Sequence, residues 1–156
     1  MIKKEQVCCF TGHRKLRDIS AAEQKLAAAI EHLADEGVRY FGCGGALGFD
    51  TLAALAVIEA RKHRPKLKLI LVLPCRAQDK HWSEEEKRVY RSVLERADKV
   101  VCTAEDYYDG CMQKRNRHLV DGSGWCLCWL ETPGGGTSYT VNCAREKGLK
   151  ILNLAE

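Results

Sequence analysis

The run Leu67-Lys68-Leu69-Ile70-Leu71-Val72-Leu73, followed at once by Pro74-Cys75, decides the fold. Its aliphatic residues are almost continuous, so the strand they predict has no wet face, and a strand covered on both sides belongs in a parallel sheet layered by helices. The flanks agree. Upstream, Leu47–His63 reads as a broadly apolar helix carrying Leu52, Leu55, Ala56 and Ala60; downstream, the capping box Ser83-x-x-Glu86 opens a helix with Val89, Val93 and Ala97 in register. Further out, strands are predicted at Gln6–Thr11, Val38–Gly42, Lys99–Cys102, Trp125–Leu130 and Lys150–Asn153. Helices are predicted at Ser20–Glu36, at Gly110–Asp121 and after Gly136. The first opens on Ser20-x-x-Glu23, aligns Leu26, Ile30 and Leu33, and closes at Gly37. This alternation predicts an α/β, Rossmann-like three-layer domain with a mainly parallel sheet and helices on both faces. No linker, repeat or low-complexity stretch interrupts it, so one domain is expected over 1–156.

Composition narrows the function classes. A chain of 156 residues, 46% hydrophobic and 29% charged with 3 prolines, is an ordinary globular sequence rather than a disordered or fibrous one. Its 25 Lys and Arg against 21 Asp and Glu leave +4, too mild a charge to make nucleic acid the default partner. The apolar runs fall short of a membrane span, and the start, Met1-Ile2-Lys3-Lys4, leads into a run too brief for a signal peptide, so no membrane association and a cytoplasmic location are expected. The 9 cysteines fit a reducing compartment, where thiols serve as small buried hydrophobes. None of their spacings makes the paired C-x-x-C of a zinc or redox site, and Cys126-x-Cys128 has no paired His or Cys motif nearby to complete a ligand set, so no metal is expected.

In a doubly wound sheet the chemistry sits beyond the carboxyl ends of the strands. Four loops there are informative. Pro133-Gly134-Gly135-Gly136-Thr137 is a glycine turn at a helix start: its N–H groups can face an anion and Thr137 can cap the helix or donate its hydroxyl, while the bland alternative is a tight turn that binds nothing. No Lys follows the glycines, so it is not a Walker loop. Gly42–Asp50 is a second glycine-rich turn in which Gly44, Gly45 and Gly48 would admit a ligand to the backbone. Asp50 either accepts ribose hydroxyls or simply favours the positive helix end. Thr11-Gly12-His13-Arg14 brings a guanidinium fork suited to phosphate, with His13 read equally as a ligand contact or a hydrogen-bonded structural residue. Trp82 with Gln78 could stack on a base or cover the pocket, a lone Trp being also a common packing anchor, and Arg115-Asn116 adds polar groups from a helix start.

Taken together, TGHR after an initial apolar strand, GGALGFDTLAA, LILVLPC with Gln78 and Trp82 following, CMQKRNRHLVD and the late GGTSYT resemble the YpsA-like family of the SLOG superfamily. That Rossmann-like group also holds the Lonely-guy phosphoribohydrolases and the DNA-processing protein A domain. The resemblance runs from about Val7 to Asn153 and implies a pocket for a nucleotide or nucleotide-derived ligand, ADP-ribose-like in kind, lined by Gly12, Arg14, Gly44, Gly45, Asp50, Gly135 and Thr137. No cofactor is expected, and the oligomeric state stays open, a homodimer being one option because superfamily relatives are often dimers. One departure matters. Lonely-guy enzymes resemble PGGxGTxxE, whose glutamate serves N-glycosidic cleavage; here the turn is one residue shorter and Thr140 takes that place. Binding or sensing of a nucleotide is therefore the leading expectation. The alternative is a nucleoside-phosphate or ADP-ribose N-glycosidase with Asp50 as its catalytic acid, and a DNA-binding module comes third.

Overall fold

The computed structural model describes residues 2–156. Six strands, β1 (Val7–Gly12), β2 (Tyr40–Cys43), β3 (Lys68–Leu73), β4 (Lys99–Cys102), β5 (Trp125–Trp129) and β6 (Lys150–Asn153), form one wholly parallel sheet in the order β4-β3-β2-β1-β5-β6. Five helices alternate with them: α1 (Ile19–Asp35), α2 (Phe49–Arg61), α3 (Glu84–Arg96), α4 (Cys111–Asp121) and α5 (Gly135–Glu146). The chain winds from β1 outward to β4, returns through α4, and then winds the other way through β5 and β6. The winding reverses between β1 and β5.

Right-handed crossovers put α1, α2 and α3 on one face and α4 and α5 on the other. Strand alternation sorts the side chains accordingly. Cys8, Phe10, Phe41, Leu69, Leu71 and Leu127 pack under α1–α3 with Leu26, Ile30 and Val57, whereas Cys9, Val72, Cys126 and Cys128 meet Leu119, Val120 and Val141 of α4 and α5. The second layer is built from small thiols because α4 lies close: a Cβ on Gly42 would stand 2.9 Å from a Leu119 methyl. All nine cysteines are free thiols.

Element ends shift by a residue or two from the sequence reading, and one cap is corrected. Helix α1 is capped by Asp18, whose Oδ1 accepts the Ala21 N–H at 3.0 Å, so Ser20 lies inside the helix and its pairing with Glu23 is not the N-terminal box. Asp18 holds the extended backbone an N-cap needs, and its carboxylate is the stronger acceptor there. The Ser83–Glu86 box is present in both directions, at 3.1 and 2.8 Å. No helix among the described residues is long and apolar enough to cross a membrane.

Candidate functional site

At the reversal between β1 and β5 a cleft of about 350 Å³ opens at the carboxyl ends of the strands. The end of β1 gives it Phe10, Thr11 and Gly12, and the loop beyond gives His13 and Arg14; the loop after β2 gives Ala46 and the start of α2 gives Asp50; α4 gives Met112, Arg115 and Asn116; and Gly134–Thr137 complete the wall. This is where open α/β sheets place their ligands. A larger groove of about 500 Å³ runs along α1 and α2, but it is mostly apolar, and its Glu31 and Glu59 are already paired with His63, Arg64 and Lys62.

The loops are locked by close approaches. A Cβ on Gly12 would collide with the side chain of Phe49, a fully buried residue whose N–H donates to the His13 carbonyl at 3.1 Å. Glycine at 12 therefore seats the start of α2 against the end of β1. At Gly48, φ is +81° and a side chain would strike the Arg14 carbonyl, which brings the β1 and β2 loops into direct backbone contact.

Arg115 is the buried cation of the site, 5% exposed. Its Nη1 donates to the Gly44 carbonyl at 2.6 Å and to that of Val72 at 3.4 Å, and its Nε donates to Asn116 Oδ1 at 2.7 Å. Asp50, also buried, takes the Ala46 N–H on Oδ2 at 3.3 Å. Burial pushes its carboxyl up from the usual range; the Arg115 charge, the Ala46 and Gly44 N–H groups and Arg14 pull the other way. Asp50 is the only carboxylate among the described residues lining the cleft.

The helix starts around the cleft share a feature. α2, α4 and α5 each begin after a glycine, Gly48, Gly110 and Gly134, and none has a side-chain cap. α1 and α3, which do not line the cleft, are capped by Asp18 and Ser83. The glycine turn is also sterically open, since a Cβ at Gly134, Gly135 or Gly136 would meet nothing within 4 Å.

Most of the residues singled out from the sequence converge here, and five lie apart: Gly44, Gly45, Gly48, Gln78 and Trp82. Gly48 is not part of the lining because it is pressed against the Arg14 backbone. Gly44 and Gly45 sit beneath the cleft, with the space a side chain would need at Gly44 filled by Arg115, and at Gly45 by Gln78 and Tyr90. Gln78 is turned inward, its Nε2 donating to Gly44 O at 3.1 Å and to the Tyr90 hydroxyl at 2.9 Å, while its buried Oε1 has no partner. Burial lifts the Tyr90 hydroxyl to about 12. Trp82 packs edge-on against Tyr90 with ring centroids 5.1 Å apart, away from the cleft. The sequence reading missed Phe10, Ala46 and Met112; Met112 precedes Arg115 by three residues, the spacing that puts two side chains on one helix face, and its sulfur accepts from Arg115 Nη2 at 3.5 Å. Thr140, at the place of the Lonely-guy glutamate, is buried and donates back to the Gly136 carbonyl at 2.9 Å.

Fold and cleft together define a Rossmann-like α/β protein with a polar site at its topological switch point. The model of the YspA SLOG family matches residues 3–150, and the chain belongs to that family. It is 31% identical over 137 residues to the SPbeta prophage-derived protein YoqJ of Bacillus subtilis, covering 80% of each chain. To the UPF0398 protein BH1768 of Halalkalibacterium halodurans it is 33% identical over 140 residues, 87% of this chain and 72% of that one. Among solved structures it is similar to DNA processing protein A from Helicobacter pylori, described by its single-stranded DNA binding mode, with a TM-score of 0.69 and 18% identity. That match covers 95% of this chain but 64% of the Helicobacter protein. The TM1055 structure matches with a TM-score of 0.59 at 18% identity over 94% of this chain and 72% of its own. These structural likenesses establish the shared fold.

Proposed function

We propose that the switch-point cleft binds a nucleotide or nucleotide-derived ligand by its phosphate. The observation that carries this reading is the set of three helix starts, α2, α4 and α5, that lack side-chain caps and bring their first turns to one cleft, beside the Arg14 guanidinium. Uncapped N–H groups and helix dipoles favour an anion, and an arginine fork adds charge-assisted hydrogen bonds to it. Asp50 is available for sugar hydroxyls, and Phe10 and Met112 supply apolar surface. A volume of about 350 Å³ suits one nucleotide unit better than a strand, and the +4 charge gives a strand little electrostatic hold. The free thiols favour a reducing compartment, which makes the cytoplasm the expected location.

The test is a thermal-shift panel of nucleoside mono- and diphosphates, ADP-ribose, NAD and a single-stranded oligonucleotide. Stabilisation by phosphorylated members at millimolar concentration is expected. No shift from any of them refutes the reading, and a salt-dependent shift from the oligonucleotide alone replaces it with DNA binding.

A second reading, N-glycosidic hydrolysis, draws on Asp50. Its carboxyl is raised by burial, as a general acid requires, and it is the one carboxylate lining the cleft among the described residues. Incubation with nucleoside monophosphates and detection of free base tests it, with Asp50→Asn expected to abolish release. An unchanged rate in that variant removes Asp50 from the reaction.

A further inference from the structure

His13 stands where the two halves of the cleft meet. Its Nε2 accepts the N–H of Glu131 at 3.0 Å and that of Thr132 at 3.4 Å, while its backbone carbonyl takes the Phe49 N–H at 3.1 Å. The backbone is thus fastened to α2 and the ring to the loop between β5 and α5. That loop is held one residue earlier by Asn153, which accepts the Leu130 N–H at 3.0 Å and donates to the Leu130 carbonyl at 2.9 Å. Beyond Thr132 the glycine turn stands in open space, and α5 starts without a side-chain cap. His13 is therefore the last fixed point before the turn.

We propose that His13 is a positioning residue for the glycine turn: its Nε2 holds two amides of the loop that leads into the turn, and loss of that acceptor releases the turn and weakens anion binding in the cleft. Both amides point at one lone pair, so the ring must be neutral with its proton on Nδ1. A proton on Nε2 turns the acceptor into a donor, and both bonds are lost together. The cleft that His13 lines also holds the charged side chains of Arg14, Asp50 and Arg115, and the two loops it joins carry Arg17 and Glu131. The Glu131 carboxylate is engaged by Trp129 Nε1 at 2.8 Å and lies 3.8 Å from Arg17, which holds it at the loop rather than on the imidazole. The consequence for ligands rests on the anion reading of the cleft; the bond pattern at Nε2 does not.

The test has two arms, both at one neutral pH. In ligand-free protein, ¹⁵N NMR should report an unprotonated Nε2 on His13. The amides of Glu131, Thr132 and Gly134–Gly136 should move in His13→Ala and stay near their wild-type positions in His13→Gln, whose side-chain oxygen can accept both N–H groups. A proton on Nε2, or amides that stay still in His13→Ala, overturns the proposal. The second arm measures ADP-ribose affinity, which should fall about tenfold in His13→Ala, the worth of two amide hydrogen bonds, and less than about twofold in His13→Gln. Equal affinity in His13→Ala and the wild type overturns the proposal. If ADP-ribose binds none of the three proteins, the amide arm decides the role of His13 and the ligand reading alone fails.

Discussion

Replacing Arg115 by Met removes the charge that faces Asp50 while keeping much of the side-chain volume. Four acceptors lose a donor: Gly44 O retains only Gln78 of its side-chain donors, and Val72 O, Asn116 Oδ1 and the Met112 sulfur lose the guanidinium. Asp50 is left 7% exposed with Arg14 as its remaining cation. Stranding a buried charge costs about 3–5 kcal/mol where the partners touch. Arg115 acts on Asp50 through space rather than by a direct ion pair, so about 3 kcal/mol is expected, or roughly 6–12 °C in melting temperature for a domain of this size. The loss should depend on pH. Asp50 carries a raised carboxyl in the folded protein, so the folded state binds its proton more tightly than the unfolded chain does, and the ionised form costs stability at neutral pH. Without Arg115 the carboxyl rises further. The deficit relative to wild type is then largest near neutrality and shrinks as pH falls toward the ordinary carboxylate range. Urea unfolding at about pH 7.5 and 4.5 measures it, and adding Asp50→Asn to Arg115→Met should recover about 1–2 kcal/mol in a double-mutant cycle. A deficit independent of pH with no coupling between the two positions would refute the electrostatic account of the site.

Arg14→Ala should weaken a nucleotide about ten- to hundredfold and leave its nucleoside nearly unaffected; equal losses in calorimetric titration would show that Arg14 does not read the phosphate. Gly48 and Gly135 share a positive φ, +81° and +79°, but only Gly48 is walled in, by the Arg14 backbone. Gly135→Ala should cost about 1–2 kcal/mol of strain while reducing nucleotide affinity, and Gly48→Ala should cost distinctly more, as thermal melts of the two would show. Ser83→Ala should cost about 1 kcal/mol by breaking the α3 capping box and should leave nucleotide binding unchanged, a control on the far side of the cleft wall.

Strand and helix order could be read from the chain because each element carries its own periodicity, and Leu67–Leu73 alone requires a sheet covered on both faces. The loops that form the cleft were legible for a related reason: in a parallel sheet every strand ends on the same side, so TGHR and the glycine turn had to share a rim. What each side chain meets on that rim was not legible. The partners of His13 lie 118 and 119 residues away, and its ring orientation depends on β1 lying beside β5. Gly44 announced a close approach, but the group that approaches is Arg115, 71 residues on. Gln78 and Trp82 sit in a loop beside the rim, and packing on Tyr90 of α3 turns them inward. At the start of α1, Asp18 and Ser20 are both good capping residues, and the extended backbone at Asp18 chooses between them.

The most direct measurement is amide chemical-shift mapping of the wild-type protein with AMP and, separately, with adenosine. AMP at millimolar concentration should move the amides of Gly135, Gly136 and Thr137 together with those around Arg14, and adenosine should leave the glycine turn in place. Shifts confined to other surfaces, or a glycine turn that responds equally to both compounds, would contradict phosphate recognition in the cleft.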